Sequence, residues 1–134
     1  RMRSPYYSAM FSKDSAGAMK LVRALKNGNS IGMLIDQKMN EGIAVPFFGR
    51  DAMTSPSVGQ FVFKFGADVI PARIIRTGGA HFEARFYPRM EFERTADEDA
   101  DIRSAMIKVN ALLESWIREK PEQWFWVHNR WPKE

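Results

Sequence analysis

The sequence predicts an α/β fold, a sheet with helices packed on it, in a single domain spanning residues 1–134. Three observations predict it. Apolar residues recur at helical spacing along residues 18–25 and 102–116. Shorter apolar or alternating runs suited to strands lie between these stretches. The resulting order of helix, strand, helix, strand, strand, helix is that of a layered structure. With 45% hydrophobic and 27% charged residues, 134 residues can bury a core, and the composition excludes a disordered chain.

Each element has a local reason. Ser12 or Asp14 can cap a helix running to about Lys26, with Ala18, Leu21, Val22 and Leu25 on one face and Gly28 at its left-handed end. Ser30 to Asp36 is a short apolar run suited to a buried strand that ends in a carboxylate. Residues 37–55, with Gly42, Pro46, Gly49 and Thr54, read as a long loop, a kind of segment that usually carries function. A second helix starts at Ser55–Pro56 and stops at Gly66. Asp68 to Arg76 reads as a strand, Thr77-Gly78-Gly79-Ala80 as a hairpin turn, and His81 to Tyr87 as the returning strand. Thr95 and Glu98 have capping-box spacing at the head of a long helix. In that helix Ile102, Met106, Val109, Leu113 and Trp116 form a stripe for the sheet, and Pro121 ends it.

Composition narrows the chemistry. With no cysteine, disulfides, thiolate metal sites and cysteine nucleophiles are excluded. The net charge of +4 favours anionic partners, and Arg1, Arg3, Lys13, Lys20, Arg23, Lys26 and Lys38 concentrate basic groups in the first third. No run approaches the roughly 18 apolar residues that span a bilayer, and no signal peptide is visible. Arg1 in place of a methionine points to a sequence that begins inside a longer protein.

Three constellations stand out. Asp36-Gln37 leaves an apolar strand into a long loop, where the strand ends of an α/β sheet bind ligands; the carboxylate either orients a hydroxyl or an arginine, or caps a turn. The adjacent aromatics of Val45-Pro46-Phe47-Phe48-Gly49 line an apolar groove, dip into a bilayer surface, or enter the core. The tail from Pro121 to Trp131 holds three tryptophans, His128 and Arg130; it folds back to close the core, anchors at an interface, forms a ligand platform, or stacks on single-stranded nucleic acid. Neither histidine carries a carboxylate five residues on, since Phe86 follows His81 and Lys133 follows His128 at that spacing. Nucleophile-elbow, P-loop, dinucleotide and zinc spacings are all absent. Nothing in the residues calls for a cofactor or a metal.

Leu25 through Gln37, Val45-Pro46-Phe47-Phe48-Gly49 and Ala52-Met53-Thr54, followed by the Pro121–Trp131 ending, resemble the late (lauroyl/myristoyl) acyltransferases of bacterial lipid A synthesis. The motifs fall in order from about Leu21 to Trp131, and together they are specific. The resemblance implies the C-terminal part of an acyltransferase-type α/β domain. It also implies transfer of a fatty acyl chain from acyl carrier protein to a hydroxyl of a phosphorylated glucosamine lipid, the lipid A precursor. The expected setting is the cytoplasmic face of the inner membrane, with anionic membrane lipid as a further partner and no nucleic acid. Such enzymes use a His-x-x-x-x-Asp/Glu dyad, which this sequence does not contain. No residue here inherits a catalytic role, and the chain alone is expected to be inactive. The site residues the resemblance implies are substrate-binding: Asp36, Gln37, Phe47, Phe48 and Thr54, with Arg3 a looser match. The competing readings are a non-catalytic module that docks on membrane or carrier protein, and a nucleic-acid-binding domain supported only by charge and aromatics.

Overall fold

The structure, a computed structural model, describes residues 15–127 and 129–131. The chain divides into two compact units, residues 1–33 and residues 34–134. The described part of the first unit is α1, Ser15–Lys26, with Arg23 and Lys26 in its last turn, where cations complement the helix dipole. Its Leu21, Val22 and Leu25 are half-buried and Met19 is exposed. Gly28 takes φ +76° just beyond the helix, its amide donating to the Leu25 carbonyl at 2.9 Å. The cap candidates Ser12 and Asp14 lie outside the described residues.

The second unit is α/β, with helices packed on two small antiparallel sheets. β1 (Ile43–Phe47) pairs with β2 (Arg50–Thr54), and β3 (Ala72–Gly78) pairs with β4 (His81–Phe86). α2 (Ser57–Phe65) and α3 (Glu98–Glu119) are the helices, followed by a 3-10 turn at Pro121–Gln123. α3 is the spine. Its Met106 and Val109 pack with Val45 of β1 and Val58 of α2, and Leu113 and Ile117 pack with Phe47 and Ala52 of the first hairpin. Ile102 and Ala105 meet Phe63 of α2. Gly59 permits that helix pair to approach, since a Cβ there would stand 3.0 Å from the Ile102 carbonyl oxygen. The stripe read from the sequence is thus the buried face of α3, with Trp116 at its edge, half-buried against Tyr87 at 4.8 Å.

The structure corrects four local readings. Ser30 to Asp36 forms no strand, because no described strand runs beside it and an apolar run becomes a strand only through a hydrogen-bonded neighbour. The segment 37–55 is not a structureless loop; it contains the β1–β2 hairpin. Val45 and Phe47 point inward while Ala44 and Pro46 point out, so the period of two was present, broken by a proline that only a two-stranded ribbon tolerates easily. Its turn places Phe48 at φ 52° and Gly49 at φ 75°, the two positive values of a type I′ turn. Glycine adopts that conformation freely, whereas at Phe48 it is strained.

The strand expected from Asp68 begins only at Ala72, because Pro71 has no amide to give a ladder. Finally, the head of α3 is not a capping box. Asp97 is the N-cap, accepting from the Ala100 amide at 3.0 Å, and the Thr95 hydroxyl instead donates to buried Asp101 at 2.8 Å. The end of α2 follows the sequence reading: Gly66 at φ 66° donates to Val62, and Ala67 to Phe61, which closes the last turn.

Candidate functional site

Two neighbouring features carry the polar chemistry of the second unit. The first is a cleft of about 320 Å³ lined by Leu34, Asp36, Gln37, Trp124 and Phe125. Asp36 and Gln37 are half-buried, and they follow Ile35, whose side chain packs on both Val45 and Phe47 clusters. That anchor fixes where the chain turns polar. Backbone and side-chain bonds continue the attachment: the Met39 amide donates to the Met53 carbonyl at 3.3 Å, and Lys38 Nζ to the Trp131 carbonyl at 3.4 Å. The opposite wall comes from the segment after Pro121. Trp124 is half-buried, edge-on to Phe47 at 5.7 Å and to Trp126 at 4.6 Å, while Phe125 is two-thirds exposed. The lining therefore combines an aspartate and a glutamine with two aromatic residues and the exposed Leu34. Such a cleft has polar groups to orient a head and apolar walls to hold a chain.

The second feature is a buried polar knot. Arg130 is fully buried and lies with its guanidinium carbon 4.2 Å from the centre of the Phe47 ring. Its Nη2 donates to Thr54 Oγ1 at 2.8 Å and to Asn110 Oδ1 at 3.1 Å. Asn110 Nδ2 in turn donates to the Pro46 carbonyl at 3.1 Å, and Thr54 Oγ1 donates to the Ala52 carbonyl at 3.0 Å. The Met53 amide donates to the Arg130 carbonyl at 3.3 Å. Hairpin, long helix and tail thus converge on one guanidinium. Burial pulls the Arg130 pKa below the usual arginine value, and the Asp36 carboxylate works against that fall.

The residues singled out from the sequence separate accordingly. Asp36 and Gln37 stand together on the cleft. Phe47 and Thr54 are in the interior, Phe47 stacked on Trp131 at 5.6 Å and Thr54 bonded to Arg130. Phe48 is half-buried at the hairpin turn, its amide donating to Glu114 Oε1 at 2.6 Å and its ring beneath Arg118. Arg3 lies outside the described residues, as does His128. His81 opens β4 and is exposed. Among the described residues no cluster of His, Asp and Glu is arranged to hold a metal ion, and no helix is long and apolar enough to cross a membrane.

The ligand-platform reading of the tail is met in part by Trp124 and Phe125, which line the cleft, whereas sequence reasoning missed Asn110 altogether. Asn110 did leave a signal: it is a polar residue between Met106, Val109 and Leu113, on the buried face of an amphipathic helix. The tail reading that the chain folds back to close the core holds for Trp124 and Trp131, which pack against Phe47.

Comparison with known proteins identifies the family. No curated protein matches the chain in sequence. The family model of bacterial lipid A biosynthesis acyltransferases, in contrast, matches residues 1–133, so the match takes in the cleft, the hairpin and the tail knot alike. The chain belongs to the bacterial lipid A biosynthesis acyltransferase family.

Proposed function

We propose that these residues form the distal part of a site that moves a fatty acyl chain from acyl carrier protein to a hydroxyl of a phosphorylated glucosamine lipid, the lipid A precursor. The observation that carries the reading is the cleft lined by Asp36, Gln37, Trp124 and Phe125, within a chain matched by the family over 1–133. Asp36 and Gln37 are the groups to orient a hydroxyl or amide of the substrate, and the aromatic wall with Leu34 suits the apolar chain. Phe47, Phe48 and Thr54 serve that cleft indirectly, by fixing the hairpin against which Trp124 and Ile35 rest.

Acyl transfer to a hydroxyl needs a base to remove its proton, and no histidine here has a carboxylate five residues on. The dyad of the family is therefore assigned to a segment beyond these 134 residues, and none of the present residues is given its role. Incubating the chain with acyl-loaded carrier protein and lipid A precursor is expected to give no product above blank. Turnover would place the base within the chain.

A peripheral position on the cytoplasmic face of the inner membrane fits the exposed apolar side chains beside the cleft. Leu34 is 80% exposed and Val127 is 84% exposed, and both are in a chain of net charge +4. Those same residues favour the second reading, a module that docks on anionic membrane or on carrier protein without catalysing transfer.

A further inference from the structure

We propose that the outward face of the β3–β4 hairpin is a docking surface for an anionic lipid bilayer, entered shallowly by Ile74, Phe82 and Phe86 and steered by Arg76. It extends the membrane position proposed above to a second surface, which rests on no step of acyl transfer.

Partners in an antiparallel ribbon share a face, and successive residues alternate between faces. The register pairs Ala72 with Phe86, Ile74 with Ala84 and Arg76 with Phe82, which puts these side chains on one face. The opposite face packs inward. There Ile75 is buried, and Arg73 lies over Tyr87 and Trp116 while its Nη2 pairs with Glu119 at 2.6 Å. The outward face has no such cover: Ile74 is 65% exposed, Phe82 56% and Phe86 76%. Ile70, just ahead of β3, is 61% exposed. Large apolar side chains scattered singly need no explanation, but several gathered on one exposed face mark an interaction surface.

The charge around this face selects its occupant. From Ala72 to Arg89 the chain carries four arginines and one carboxylate, Glu83. Three of the arginines are engaged: Arg73 with Glu119, Arg85 with Glu83, and Arg89 with Asp68 and Glu91. Arg76 is the charge on the outward face. Its guanidinium carbon lies 4.8 Å from the centre of the Phe82 ring, and Nη1 donates to the Gly79 carbonyl at 3.0 Å. Among the described residues no carboxylate pairs with it. An acidic protein docks through several unengaged cations, and this face has one. A bilayer surface instead takes apolar side chains into its boundary and a long stem that carries a cation to the lipid phosphates; Phe82 and Arg76 supply both. Residues 77–81 at the hairpin tip hold no carboxylate for anionic headgroups to repel. The hairpin is also tied to the cleft wall. Gln123 Oε1 accepts from the Arg76 amide at 2.9 Å and Nε2 donates to the Arg76 carbonyl at 3.0 Å, and Trp124 follows directly.

Co-sedimentation of the whole chain with vesicles of phosphatidylglycerol and phosphatidylethanolamine, or of neutral phosphatidylcholine, tests this. The anionic vesicles should bind it more tightly. Phe82→Ser with Phe86→Ser should weaken that binding about tenfold, and Arg76→Gln about fivefold. These side chains are exposed, so folding should persist, which circular dichroism checks. A second measurement leaves them intact. The chain has no cysteine, so Ala84→Cys gives one attachment point on the same face for an environment-sensitive dye, whose emission should shift to the blue on anionic vesicles. Equal binding by the double variant, or a dye that stays in water while the chain is bound, overturns the proposal and leaves membrane contact to Phe125 and Val127. No binding by the unaltered chain overturns both. A blue shift that grows with protein concentration in the absence of lipid assigns the face to a second copy, and one produced by acyl carrier protein alone assigns it to the carrier; either result overturns the proposal.

Discussion

Thr54 Oγ1 accepts a hydrogen bond from Arg130 Nη2 at 2.8 Å, joining the last residue of the first hairpin to the end of the chain inside a closed core. Thr54→Val keeps the volume and removes the acceptor, leaving Nη2 to Asn110 alone. It should destabilise the chain by about 1–3 kcal/mol, the cost of a buried donor losing its partner. Thr54→Ser, which keeps the hydroxyl, should cost less. Urea unfolding of the two variants checks the order.

The two walls of the tail should behave oppositely. Trp131 stacks on Phe47 and donates from Nε1 to the Phe47 carbonyl at 3.2 Å, so Trp131→Ala removes packing and a bond together. A loss of about 3 kcal/mol is expected. Phe125 is 66% exposed, and Phe125→Ala should change stability by no more than about 0.5 kcal/mol. Thermal melts of both separate core closure from the cleft surface.

Gly42 closes the base of the first hairpin against backbone. A Cβ there would stand 2.7 Å from the Thr54 carbonyl carbon and 2.9 Å from the Met39 carbonyl oxygen, with no flexible side chain to move aside. Gly42→Ala should cost about 1–3 kcal/mol, as overpacking does, and should raise hydrogen exchange at Met53, whose amide bonds to the tail.

These features mark how much was legible in the sequence. The stripe of α3, the Gly66 stop of α2 and the second hairpin could be read, because each rests on local periodicity or one residue's dihedral preference. Asp36-Gln37 could be placed at the end of an apolar run from order alone. The first hairpin could not be read, since Pro46 argues against a strand and Phe48 is an unexpected residue at positive φ. The knot of Thr54, Asn110 and Arg130 spans 76 residues and is fixed by tertiary packing, which no window along the chain contains.

The head of α3 gives a local check. Asp97, not Thr95, caps it, so Asp97→Ala should lower stability by about 1 kcal/mol. Glu98→Gln should change little, because Glu98 makes only a loose surface pair with Lys64 at 3.6 Å. Chemical unfolding distinguishes this from a capping box, in which the ranking would differ.

Exposed apolar side chains, not buried ones, should govern membrane contact. The chain should bind anionic vesicles, and Phe125→Ser with Val127→Ser should weaken binding at high salt, where the Coulomb attraction is screened and apolar insertion remains. Binding abolished by salt and indifferent to the double substitution would reduce it to general basicity. Co-sedimentation at two ionic strengths measures both.

The most direct test is acyl transfer from loaded carrier protein to lipid A precursor, measured with a His-x-x-x-x-Asp/Glu segment of the family joined ahead of these 134 residues. Product is expected from the joined protein, and Asp36→Asn should lower the rate per folded molecule at least tenfold, the loss of about 1.4 kcal/mol in transition-state binding. A joined protein whose rate per folded molecule is unchanged by Asp36→Asn would contradict the account, because the cleft would then have no part in the reaction.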